Sequence, residues 1–108
     1  MPRYVVTGNY SASAMKAMVE NPSDREAAAR ELVEGIGGKL ESFYLTTGEN
    51  DFAMKVTIDD PTNLIAGLLA VGASGAVSNL KTVRAFTSDE FVAMQKKAGE
   101  FAKFYRAP

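Results

Sequence analysis

The segment FYLTTGENDFAMKV, from Phe43 to Val56, constrains the fold of this chain more than any other stretch. Apolar and polar residues alternate on both sides of Gly48-Glu49, which is the pattern of two strands joined by a tight turn. We therefore expect a β-hairpin with strands over Lys39–Thr47 and Asn50–Ile58. A turn of about two or four residues gives the same side-chain parity in this pairing.

That parity divides the hairpin into two different faces. We expect helices to cover the apolar face, because a slip of one residue would bury Lys55 instead. The uncovered face is too apolar for water and too polar for a dry core, so it suits the inner surface of a homo-oligomer. The covered set is Phe43, Leu45, Phe52, Met54 and Val56, and the uncovered set is Ser42, Tyr44, Thr46, Asp51, Ala53, Lys55 and Thr57.

The segments before the hairpin predict one strand and two helices. Residues 3–10, RYVVTGNY, form the first strand, and a helical region from Ser11 is interrupted at Asn21-Pro22, because proline disfavours helix at the preceding residue. The next helix begins with SDRE, in which Ser23 and Glu26 are expected to form a capping box. Its apolar stripe is Ala28, Leu32 and Ile36, and Gly37-Gly38 ends it.

The segments after the hairpin complete an α+β pattern. Asp60-Pro61 opens a helix whose expected buried stripe is Leu64, Ile65, Leu68 and Leu69. A fourth strand follows over Val77–Phe86, and TSDE at 87–90 is a capping box that starts a terminal helix with an apolar side formed by Phe91, Ala98, Phe101 and Ala102. The order predicts a ferredoxin-like βαββαβ fold with an extra C-terminal helix and an antiparallel sheet in the order 4-1-3-2.

Composition removes several classes of function. A chain of 108 residues predicts one domain over 1–108, and a net charge of −1 with scattered basic residues argues against nucleic acid as a partner. No apolar run reaches the ~18 residues of a membrane span, so we expect no membrane partner and a cytoplasmic location. The chain has no Cys and no His, which excludes thiolate chemistry, the usual haem ligand and the Ser-His-Asp triad. We expect no cofactor and no metal.

Asp51 and Arg84 are the candidate catalytic residues. In the predicted sheet we expect Asp51 near Thr46, near Arg3 and near Arg84, so that one acid meets one or two bases. Asp51 could then act as a general base, with Arg84 stabilising an oxyanion or enolate. The alternative is a structural ion pair at the end of the sheet.

Four polar side chains are candidate ligand-binding residues: Tyr44, Thr46 and Lys55 on the uncovered face, and Asn9 near the end of the first strand. Tyr44 could stack on a ligand or pack as a cross-strand aromatic at a subunit interface. Lys55 could act as an amine nucleophile if desolvated, or pair with Glu41 or Asp51. Asn9 could line a pocket or cap the helix that begins near Ser11.

Three stretches, MPRYVV, GGKLESFYLTTGENDF and VRAFTSDEF, resemble the GYD-domain family of small bacterial and archaeal proteins. The resemblance extends from about Met1 to Phe91. The family's Gly-x-Tyr-Asp pattern falls on Gly48 to Asp51, with Asn50 where the family has Tyr. It implies a fold of the dimeric α+β barrel type, a group that includes cofactor-free monooxygenases, lactone isomerases, haem enzymes and ligand-sensing domains.

The leading functional hypothesis is a homodimer or higher homo-oligomer that binds a small organic ligand on its inner sheet face. The alternative is a cofactor-independent isomerase or monooxygenase that uses Asp51 and Arg84. A third interpretation is structural, with the segment EFAKFYRAP making subunit contacts through Phe101, Phe104 and Tyr105.

Overall fold

A computed structural model describes residues 1–108 and places one antiparallel sheet against helices. The sheet has four strands in the order β2-β3-β1-β4, which confirms the predicted ferredoxin-like α+β arrangement. The elements are β1 (Arg3–Tyr10), α1 (Ala12–Glu20), α2 (Arg25–Gly35), β2 (Lys39–Leu45), β3 (Phe52–Thr57), α3 (Pro61–Ala73), β4 (Val77–Ala85), α4 (Ser88–Phe101) and a 3-10 turn at Ala102–Phe104.

The hairpin has the predicted parity but shorter strands. Phe43 lies opposite Met54, and Tyr44 lies opposite Ala53. Residues 46–51 connect the two strands, and a hydrogen bond from the Thr46 N–H to the Asp51 carbonyl, at 2.8 Å, closes this loop. Gly48 has a φ of 107° in this loop, a conformation that glycine adopts without strain.

Both edge strands contain a bulge that the sequence analysis did not predict. In β2, Glu41 is an extra residue between Leu40 and Ser42, so Leu40 and Phe43 both point toward the helices although three positions separate them. In β4 the register shifts between Ser78 and Lys81, where Asn79 has a φ of 53°. Strict alternation would have placed the members of such pairs on opposite faces.

The core lies between this sheet and helices α2 and α3. Val33 is the buried residue of α2, whereas the predicted stripe of that helix is only partly buried at Ala28, Leu32 and Ile36. On α3 half of the predicted stripe is correct, because Leu64 and Leu68 are buried while Ile65 and Leu69 are exposed. The core comprises Val6, Val33, Leu40, Phe52, Met54, Val56, Ile58, Leu64 and Leu68.

The helix caps follow the sequence closely, with one exception. The Asp60 carboxylate accepts the Thr62 N–H at the start of α3, and Thr87 with Glu90 forms the predicted capping box of α4. The predicted cap of α2 by Ser23 is wrong by one residue: the Asp24 carboxylate accepts the Ala27 N–H at 3.0 Å. An ionised carboxylate is a stronger acceptor for the first free N–H groups than a hydroxyl.

Helix α4 projects from the body and buries none of its residues. The radius of gyration is 17.4 Å, well above the roughly 13 Å expected of a compact chain of this length. The base of the helix is held by an ion pair, in which Arg3 Nη1 lies 3.3 Å from Glu90 Oε1. None of the helices combines the length and apolar composition needed to cross a bilayer.

The core assignment predicts a contrast between two leucines of α3. Replacing Leu64, which is 1% exposed, by Ala should lower the free energy of unfolding by about 2–5 kcal/mol, because it leaves a cavity. The same change at Leu69, which is 69% exposed, should cost less than about 1 kcal/mol. Urea denaturation measures both, and equal losses would contradict this core.

Candidate functional site

Asp51 lies where the hairpin loop meets the end of β1. Its Oδ2 accepts the backbone N–H of Tyr10 at 2.9 Å. Its own N–H donates to the Gly8 carbonyl at 2.9 Å, and its carbonyl accepts from Thr46 at 2.8 Å. Asp51 therefore links β1, the loop and the end of β2 through three hydrogen bonds.

The expected convergence of Asp51 with Arg84 and Arg3 is wrong. Strands β1 and β3 are antiparallel, so the start of β3 lies beside the end of β1, whereas Arg84 pairs with Tyr4 near the start of β1. The five residue steps from Tyr4 to Asn9 separate the two sites by about 17 Å along the strand. A mechanism that needs Asp51 and Arg84 at one reacting centre of this chain has no support from this arrangement.

Arg84 and Arg3 have other partners. The Arg84 guanidinium lies 4.8 Å from the ring centroid of Phe86 and 5.8 Å from that of Tyr4. Arg3 pairs with Glu90 in the capping box of α4. The Thr87 backbone N–H, together with the Thr87 side chain and Arg3, holds the pKa of the Glu90 carboxyl below its ordinary value. These contacts fix the start of α4 at the end of the sheet opposite Asp51.

Asn9 connects the hairpin loop to the bulge of β4. Its Nδ2 donates to the Glu49 carbonyl at 3.0 Å, and its Oδ1 accepts from Asn79 at 3.0 Å and from Asn50 at 3.3 Å. Thr46 Oγ1 is also engaged, since it donates to the Asn50 carbonyl at 2.7 Å. Asn9 and Thr46 thus hold the loop in place, and Ser11 rather than Asn9 caps α1.

Tyr44 and Lys55 lie on the sheet face that no helix covers, which we call the open face. Tyr44 is 68% exposed opposite Ala53, and Lys55 is half-buried between Ser42 and Val5. By register the open face consists of Arg3, Val5, Thr7, Lys39, Ser42, Tyr44, Ala53, Lys55, Thr57, Lys81, Val83 and Ala85.

Two lysines of the open face differ in whether a carboxylate pairs with them. Lys81 Nζ lies 3.9 Å from the Glu49 carboxylate, whereas Lys55 has no carboxylate within 4.0 Å. Glu41, an expected partner of Lys55, instead accepts from Thr57 Oγ1 at 3.0 Å. Lys55 is therefore a free cation in the middle of a partly apolar surface.

Tyr10 and Arg25 are functional candidates that the sequence analysis missed. Both line a cavity of about 190 Å³ on the helix-covered side of the sheet. Burial raises the pKa of the Tyr10 hydroxyl above its ordinary value, while the nearby Arg25 guanidinium acts in the opposite direction and the Asp51 carboxylate adds to the increase. The two residues are distant in sequence, so only the tertiary structure reveals the pair. No cluster of carboxylates suited to a metal ion is present.

Comparison with known proteins identifies a family and a set of similar folds. The family described as GYD domain matches residues 4–94. TTHA0845 from Thermus thermophilus has 18% identity and a TM-score of 0.52, over 82% of this chain and 96% of that one. The hypothetical protein PHS023 from Pyrococcus horikoshii has 16% identity and a TM-score of 0.51, over 82% and 93%. A comparison with curated proteins found no match.

The hydrogen bonds of Asp51 predict a structural role for its carboxylate. Asp51→Ala should lower the free energy of unfolding by about 1–3 kcal/mol, because the N–H of Tyr10 loses its acceptor. Asp51→Asn retains a side-chain oxygen at this position and should cost less. Asp59→Ala, at an exposed position, is the matched control and should be near neutral. Chemical denaturation measures all three, and a neutral Asp51→Ala would contradict the role.

Proposed function

This chain belongs to the GYD domain family, and we propose that it is a homo-oligomeric α+β module. In this proposal the open face packs against a second copy and encloses a small organic ligand. The observation that carries the proposal is the composition of the open face. Tyr44 and Val83 are 68% and 58% exposed there, beside Val5 and Ala53. A continuous surface of this kind is typical of an interface.

The exposed aromatic residues of helix α4 and the segment after it are a second reason to propose self-association. Phe91 and Phe101 of this helix and Phe104 just after it are 57%, 59% and 78% exposed, and no residue of the helix is buried by its own chain. An isolated helix of this length is marginal in water, so an amphipathic one is ordinarily stabilised by packing. In the proposed oligomer α4 and the following aromatic residues lie against a second copy.

Lys55 indicates the chemistry of the enclosed ligand. Packing a second sheet over this side chain would remove water from a cation that has no carboxylate partner. Burying an unpaired charge costs several kcal/mol, so the enclosed space is expected to hold an acidic group or to stay hydrated. An acidic organic molecule that contacts Lys55 and stacks on Tyr44 satisfies both the charge and the aromatic surface.

A charge introduced at Val83 should separate the copies. Val83→Lys adds a cation to the row that contains Val5 and Lys55, and we expect association to weaken by about tenfold or more. Val19→Lys is the matched control, because Val19 is 81% exposed on α1 and away from the open face. Light scattering at micromolar concentration measures the mass. A monomeric wild-type protein would contradict the proposed assembly.

Native mass spectrometry tests the ligand separately. The purified oligomer should carry a small acidic molecule that is released on denaturation, and Lys55→Met should abolish this extra mass. Lys96→Met, on the exposed face of α4, should leave the extra mass unchanged. An oligomer whose mass equals that of its chains alone would refute the ligand while leaving the assembly intact.

A further inference from the structure

A cavity lies on the opposite side of the sheet from the open face. The cavity has a volume of about 190 Å³, lies between α2, α3 and the helix-covered side of the sheet, and is partly open to solvent. Its lining is hydrophobic except for Arg25. The bulge in β4 shapes it, because Val77 and Leu80 both reach this side of the sheet.

Three aromatic rings form part of the cavity wall. The Phe52 ring centroid lies 5.4 Å from that of Tyr10 and 5.9 Å from that of Phe43. An apolar cavity of about 150 Å³ accepts a benzene molecule in another protein, so the present volume suits an apolar body of about six to eight carbon atoms. Space of this size in a hydrophobic interior is unfavourable when empty, because the lining atoms lose dispersion contacts.

Arg25 supplies a cation at the edge of this apolar space. Arg25 is partly buried, and its guanidinium donates to Ser23 Oγ at 3.0 Å and has no carboxylate within 4.0 Å. The Asp51 carboxylate, whose Oδ2 accepts the Tyr10 N–H, makes no ion pair with Arg25. Arg25 therefore keeps donors free for an anion, and its planar group matches a carboxylate.

The same edge opens to the outside. A groove of about 720 Å³ between α1, α3 and the 21–25 segment shares Tyr10, Arg25, Leu32, Val71 and Val77 with the cavity. A ligand can enter apolar end first through this groove and leave its charged group beside Arg25. The groove also keeps that group in contact with water, which reduces the cost of desolvating it.

We propose that this cavity binds a monocarboxylic acid with a compact apolar body, and that Arg25 and the Tyr10 hydroxyl hold the carboxylate. A neutral hydrocarbon is a poorer match, because it would leave the Arg25 donors without an acceptor. A ligand with two charges is also a poorer match, because its second charge would be buried in a hydrophobic space. The site can be tested separately from the open face, since none of its lining residues lies on that face.

An NMR titration of the full chain tests the proposal with sodium phenylacetate and its neutral analogue, phenylacetamide. Phenylacetate should bind saturably and shift the amide signals of Tyr10, Arg25, Val71 and Leu80. Arg25→Gln should weaken phenylacetate binding by about tenfold or more and leave phenylacetamide binding within about twofold. Arg30→Gln makes the same charge change on α2 outside the cavity and should alter neither affinity.

A second variant tests the space rather than the charge. Ala29→Leu adds volume at the cavity wall and should reduce binding of both compounds, with the amide spectrum reporting whether the fold is retained. If this variant unfolds, the comparison of Arg25→Gln with Arg30→Gln still decides the question. Absence of saturable phenylacetate binding, equal affinity for acid and amide in the wild type, or shifts confined to Tyr44 and Lys55 would overturn the proposal.

Discussion

The antiparallel pairing of β1 between β3 and β4 is the constraint on which the rest of this structure depends. Val6 and Val56 are fully buried because β1 and β3 present the same alternation to the helices. The period of two then leaves Val5 and Lys55 on the other side of the sheet. The same pairing brings the end of β1 to the hairpin loop, where Asp51 accepts the N–H of Tyr10.

Short sequence patterns were enough to predict those features that depend only on neighbouring residues in the chain. Side-chain parity in the hairpin, the Asp60-Pro61 helix start and the Thr87–Glu90 capping box follow from patterns a few residues long. The order of the strands also followed, because the connections allow few topologies. The expectation that Asp51 meets Arg84 was wrong because it placed the start of β3 beside the start of β1. The two strands are antiparallel neighbours, so the start of β3 lies beside the end of β1.

The cavity could not be predicted, because it depends on departures from regular geometry. Val77 and Leu80 reach the same side of the sheet only through the bulge at Asn79, and Leu40 and Phe43 do so only through the bulge at Glu41. Tyr10 and Arg25 meet only after α1 has turned the chain back over the sheet. Likewise, the sequence of α4 indicates that the helix has an apolar side. It does not indicate that the rest of the chain leaves that side uncovered.

The two bulges also lie on β2 and β4, the outermost strands of the sheet. A regular outer strand offers an unbroken row of N–H and C=O groups on which further chains can be added without limit. An extra residue interrupts that row and increases the local twist, so ribbon-like growth from either margin is disfavoured. Polymerisation into fibrils through the two margins of the sheet is thereby discouraged.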